Sequence, residues 1–123
     1  MHIIRIAAVG YLPPPHDHHG KGVNLDPLAE VVRRVAREEK PDFICFPEIC
    51  ACAGPLEQAM VHAPALEPFV TEVAKLAREV RAALIVPTLE RAGTQIYNSV
   101  PVVDASGKLV FVYHKNYLTI NTF

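Results

Sequence analysis

The apolar positions of this chain fall into runs of two kinds, and the switch between them marks its elements. From Ile3 to Val9 the residues are mostly apolar and often β-branched, and Gly10 cuts the run, which predicts an opening strand. The stretch YLPPPHDHHGKG that follows is dense in proline and glycine and cannot lie inside a helix or sheet. Asp26 and Pro27 then predict a helix start, with Asp as N-cap and Pro in the first turn. Behind them Leu28, Val31, Val32, Val35 and Ala36 recur at helical spacing. They form one apolar stripe and leave Arg33, Arg34, Arg37 and Glu38 to water. The helix should stop at Lys40-Pro41, because a residue before proline is pushed out of the helical region.

Phe43 to Phe46 are apolar without alternation, as in a strand covered on both faces. A loop is expected from there to about Pro64, and then a second helix with Phe69, Val73, Leu76, Ala77 and Val80 on one face. AALIVPTLE predicts a third strand. YNSVPVVDASGKLVFVYHK predicts two more, joined by a turn at Asp104-Ala105-Ser106-Gly107. The order is β-α-β-α-β-β-β without repeat or linker, which is one layered α/β unit with helices on one face of a mixed sheet. Such a sheet leaves its other face bare, so more chain or another subunit is expected to cover it.

Composition narrows the class. With 123 residues, half of them hydrophobic, the chain suffices for one domain with a core and not for two. Its 12 basic and 13 acidic residues are scattered, for a net charge of −1. This excludes the basic stripe of a nucleic-acid binder and the acidic tail of a solvating segment. No apolar run approaches the roughly 20 residues of a membrane span, and the N-terminus is too short for a signal peptide. Three cysteines, an odd number, argue against a disulfide framework and for a cytoplasmic setting.

The candidate chemistry starts at KPDFICFPEICACAG. Glu48 lies just past the carboxyl end of a buried strand, where open α/β sheets place ligands, beside a Pro47 that suits a strand end. Partly desolvated there, its pKa would rise and fit it for general-base work near neutral pH. A glutamate that merely bonds loop amides is the simpler reading by position alone. Cys45 reads as core packing. Cys50 and Cys52, with His16, His18 and His19, could ligate zinc, but C-x-C without a second pair is a poor signature, and HDHH reads more simply as a solvated loop. A thiol beside Glu48 could equally be a nucleophile. Lys115 ends the last strand and, if it converges on Glu48, could stabilise an oxyanion. Glu90, after IVPTL, could join them.

In series, these segments resemble the nitrilase superfamily of carbon–nitrogen hydrolases nearly end to end. IRIAAVG resembles its first strand, and NLDPLAEVVRRVAREEKPDFICFPE its first helix, second strand and catalytic glutamate. LAREVRAALIVPTLE followed by YNSVPVVDASGKLVFVYHK resembles its second helix, third strand, Tyr-Asn-Ser strand, Asp-x-x-Gly turn and lysine strand. The resemblance implies a four-layer α-β-β-α sandwich and a Glu-Lys-Cys triad that hydrolyses a small amide, nitrile or carbamoyl compound through a thioester. It implies no cofactor, metal, nucleic acid or membrane, and a homo-oligomer. By position Glu48 would be the general base and Lys115 the stabiliser of the tetrahedral intermediate, with Glu90 in a supporting role.

The departures bear on the site. The family's nucleophile lies a few dozen residues beyond the lysine, so Cys45, Cys50 and Cys52 do not match it. Residues 1–123 would then be the N-terminal portion of one hydrolase domain, lacking the portion with the nucleophile and inactive alone. His114 stands where arginine is usual, Tyr117 where histidine is, and Pro87 where glycine is. Two other readings stand beside this one. One is a non-catalytic half-domain that binds a ligand or partner and dimerises through its bare sheet face. The other, ranked last, is a thiol or metal site built on Cys50, Cys52 and the loop histidines.

Overall fold

A computed structural model describes residues 3–13, 25–52 and 55–116 of the chain. Its elements are β1 (Ile6–Ala8), α1 (Asp26–Glu39), β2 (Phe43–Cys45), α2 (Leu56–Val61), α3 (Leu66–Val80), β3 (Ala83–Ile85), β4 (Thr88–Ala92), β5 (Gln95–Val103) and β6 (Leu109–His114). The loop carrying His16, His18 and His19 lies outside the described residues, as does Tyr117.

β1, β2 and β3 run parallel, and β5 is antiparallel to β3, β4 and β6. One side of β5 pairs with β6. On its other side Gln95–Ser99 face β4 and Val102–Val103 face β3. β3 and β4 are therefore two pieces of the single strand expected from AALIVPTLE. The break falls at Val86-Pro87 because proline has no N–H to give to the ladder. The freed backbone is used instead by the segment after β2: Phe46 N–H donates to Ile85 C=O at 3.0 Å and Ala51 N–H to Pro87 C=O at 3.3 Å.

The core lies between the sheet and α1 with α3. Ile44, Leu84 and Val103 stand side by side across β2, β3 and β5, and all three are fully buried. Leu28 and Val32 of α1 and Phe69, Val73 and Ala77 of α3 close over them in the same cluster. These are the stripes that the helical spacing predicts, the Leu, Val and Phe side chains each contributing about 1.5–3 kcal/mol on burial. Among the described residues the opposite sheet face is covered at Leu89 and Asn98 and open along β1 and β6. Ile6, Phe111 and Tyr113, partnered by register to Phe43, Val102 and Val100, are exposed. One helical layer on one sheet layer is half of a four-layer α-β-β-α sandwich, the fold class expected.

Two local expectations need correction. The first helix has Leu25 as N-cap, and Asp26 is its first helical residue, where its charge still suits the helix N-terminus. Both long helices end on a left-handed residue, Lys40 (φ 46°) and Arg81 (φ 56°). The loop to Pro64 contains α2, whose six residues are too few to show a helical period. It is held by Ala59, packed with Ala63 against Leu89, and by the Arg91 guanidinium, which donates to Met60 C=O at 2.6 Å and Val61 C=O at 3.2 Å.

Candidate active site

Residues 46–52 leave β2 and are stitched across the β3–β4 break. Beyond the two backbone bonds already given, the Cys50 thiol donates to Pro87 C=O at 3.4 Å, and Leu89 N–H donates to Cys52 Sγ at 3.4 Å. A tight turn results, with Cys50 N–H bonded to Pro47 C=O at 3.2 Å and Cys52 N–H to Ile49 C=O at 3.0 Å. Ile49 takes φ 55°, a conformation costly for a β-branched residue and held only because the turn is tied at several points. The turn presents the preceding side chain, Glu48, outward.

Two donors meet Glu48. The Asn98 side-chain amide of β5 and the Lys115 ammonium just past β6 each lie 2.6 Å from the same oxygen, Oε1. A backbone bond from Lys115 N–H to Asn98 C=O, 2.9 Å long, fixes the two donors relative to each other. The ion pair is half in water, with side chains 55% exposed for Glu48 and 33% for Lys115. The bond from Lys115, then that from Asn98, holds the Glu48 carboxyl below its ordinary pKa and outweighs the opposing effect of burial. This corrects the expectation of a raised pKa: the strand end is too open for desolvation to dominate. Glu48 is therefore ionised at neutral pH.

Beside Glu48 opens a cavity of about 330 Å³, walled by Tyr11, Leu12, Ile49, Cys50 and Leu56. Tyr11 stands edge-on to Phe46 at 5.7 Å, and burial pushes its phenol pKa up. The cysteines divide as structural groups. Cys50 is buried, and desolvation, with Cys52 close by, pushes its thiol up to about 12. Cys45, within β2, is also raised by burial. Thiols in that state are protonated at neutral pH and are poor nucleophiles. Among the described residues no group of three His, Cys, Asp or Glu is placed to hold a metal ion.

Glu90 does not join Glu48 and Lys115. It pairs by register with Tyr97, and its neighbour Leu89 pairs with Asn98, so Glu90 and Asn98 face opposite sides of the sheet. Buried there, Glu90 Oε2 accepts from the Ser99 hydroxyl at 2.6 Å and lies 3.0 Å from His114 Nε2, whose ring packs on Tyr97 with centroids 4.9 Å apart. His114, the departure from the usual arginine, thus belongs to this second cluster. The residue that sequence reasoning passed over is Asn98. Its signal was available: a carboxamide, depleted in strands, in the middle of an otherwise good strand sequence.

Residues 5–122 match the protein family described as carbon-nitrogen hydrolase. No curated protein matches the chain. Among solved structures, a CN-hydrolase superfamily protein of Xanthomonas campestris with an arsenic adduct in its active site superposes with TM-score 0.79 at 24% identity, over 97% of this chain and 43% of that one. An amidase from Nesterenkonia sp. gives 0.76 at 19% identity, over 94% and 44%. A mutant of the amidase from Nesterenkonia sp. AN1, showing covalent addition of the acetamide moiety of fluoroacetamide at the active-site cysteine, gives 0.76 at 20%, over 94% and 44%. The chain spans under half the length of each of these proteins, and at these identities the likeness is one of fold. No helix among the described residues is long and apolar enough to cross a membrane.

Proposed function

The chain belongs to the carbon–nitrogen hydrolase family, and on that premise we propose that the whole protein hydrolyses a small amide, nitrile or carbamoyl compound through a Glu-Lys-Cys triad. Glu48 is its base and Lys115 its electrostatic stabiliser. The cysteine comes from outside these 123 residues, which form the N-terminal portion of the domain and are inactive alone. The observation that carries the reading is the 2.6 Å pair between Glu48 and Lys115 beside an open cavity. The acetamide adduct on the active-site cysteine of the Nesterenkonia amidase supports a thiol nucleophile on this fold, and the high pKa of Cys50 counts against its serving here.

On an amide the steps balance as follows. Glu48 takes the thiol proton as sulfur bonds to the carbonyl carbon, and the C=O electron pair moves onto oxygen beside the Lys115 ammonium. The tetrahedral intermediate collapses, the C–N bond breaks, and Glu48 returns its proton to the departing amine. Water then adds to the thioester, giving one proton to Glu48. The C–S bond breaks, the carboxylic acid leaves, and the thiol is restored. No cofactor or metal takes part in this scheme. Glu90 acts at one remove, by bracing Ser99 next to Asn98. The whole protein is a cytoplasmic homo-oligomer in this reading.

Ammonia release from simple aliphatic amides by the whole protein tests it. Glu48→Gln and Lys115→Met should each lower kcat/KM by about 10³-fold or more. Full activity in either variant, or activity of the 123-residue chain by itself, would refute the assignment. The exposed Ile6, Phe111 and Tyr113 favour one other reading, a half-domain that pairs with a partner through this face. Sedimentation of the chain as a monomer with a cooperative unfolding transition would count against it.

A further inference from the structure

The way the two donors share Glu48 says more than that they pair with it. Both reach Oε1, and among the described residues no hydrogen bond to Oε2 accompanies them. An oxygen accepting two strong donors has its electron density drawn away, and the rotation of the carboxylate is fixed by them. Asn98 is suited to hold that geometry. Its residue is only 7% exposed, it lies within β5, and its backbone carbonyl accepts the N–H of Lys115. The backbone that carries the amide is therefore fixed by the β5–β6 pairing, and the side chain itself is held by its burial and its 2.6 Å bond to Glu48.

We propose that Asn98 is a positioning residue that clamps the Glu48 carboxylate through Oε1, so that Oε2 is the atom that takes and returns the proton in the reaction proposed above. The inference rests on that reading for its catalytic consequence and on geometry alone for the clamp. Lys115 remains available to the oxyanion, since Asn98 keeps the carboxylate in place when the ammonium turns toward substrate. Among the described residues the titratable groups around Glu48 are Lys115 at the end of β6 and, around the cavity, Tyr11, Cys50 and Cys52. Burial raises Tyr11 and Cys50, so neither supplies an acidic limb to a pH profile.

The test compares wild type with Asn98→Leu, close in shape but without a donor, and Asn98→Asp, which sets a second carboxylate against the first. The Glu48 carboxyl is titrated by carbon-13 NMR, assigned by its loss in Glu48→Gln, and kcat/KM on an aliphatic amide is followed from pH 4 to 9. The titration midpoint should move to higher pH in Asn98→Leu and further in Asn98→Asp. The acidic limb of kcat/KM should move the same way, with kcat/KM at neutral pH falling about 10- to 100-fold, mostly in kcat. A midpoint unmoved in both variants overturns the clamp, even if stability falls. A shifted midpoint in a protein that hydrolyses no amide leaves the clamp standing and sinks the hydrolase reading instead. Should Asn98→Leu fail to fold, Asn98→Ser, which is small and polar, takes its place with the same expected direction.

Discussion

The β5–β6 hairpin delivers both donors to Glu48, so its turn is where a small perturbation should reach furthest. Gly107 sits in that turn at φ 81°, and a Cβ there would meet the Arg78 guanidinium and lie 2.8 Å from the Ala74 carbonyl oxygen. Gly93, in the β4–β5 turn, has φ 61° but open space around the same position. Gly93→Ala thus meets only the left-handed backbone penalty, about 1–2 kcal/mol. Gly107→Ala meets that penalty and a clash as well. The arginine head can move aside, but the helix carbonyl cannot, and such overpacking costs about 1–3 kcal/mol more. The expected totals are about 1 kcal/mol for Gly93→Ala and about 3 kcal/mol for Gly107→Ala. With a urea slope of roughly 2 kcal/mol per molar, the midpoints should fall by about 0.5 M and 1.5 M. Urea unfolding followed by far-ultraviolet circular dichroism reads both, and an unchanged slope certifies that stability alone has moved. Equal midpoint shifts for the two variants would refute the steric argument, since only α3 beneath Gly107 distinguishes them.

Other outcomes follow from the same geometry. Glu48 and Asp104 both have folded pKa values below their ordinary ones, Glu48 chiefly through Lys115 and Asp104 chiefly through the Ser106 hydroxyl. Their stabilisation is present above the unfolded values of about 4.5 and 3.8 and is lost as pH falls through the lower folded values. Urea midpoints should therefore drop below pH 4.5, and less steeply in Glu48→Gln combined with Asp104→Asn. Leu84→Ala, at a fully buried position between the sheet and its helices, should cost about 2–5 kcal/mol by the same unfolding assay. Cys50→Ala should leave amide hydrolysis by the whole protein within about threefold of wild type while lowering stability by about 1 kcal/mol, as expected of a packing residue. A loss of 10³-fold would return Cys50 to consideration as a nucleophile.

The amino-acid sequence by itself determined the elements that have a period. Leu28, Val32, Phe69, Val73 and Ala77 announce their helices because burial selects one face every 3.6 residues. The run at Phe43–Phe46 announces an inner strand because both of its faces are covered. Asp104 and Gly107 mark their turn because few residues accept its backbone angles. From these local rules came the layered sheet, the expectation of an uncovered face, and Glu48 and Lys115 as candidates at strand ends. Tertiary structure alone decided three further things. It split the third strand at Pro87 and docked the Glu48 turn into the break, a pairing between residues nearly 40 positions apart that no local pattern encodes. It placed Glu90 on the far face, because strand register, not order along the chain, sets which side chains meet. It also brought Asn98 and Lys115 to one oxygen of Glu48, which lowered a pKa that burial near a strand end was expected to raise. Periodicity reports how much of a residue is covered. Which polar atoms share a carboxylate is a fact of long-range geometry, and there the fold had to be seen.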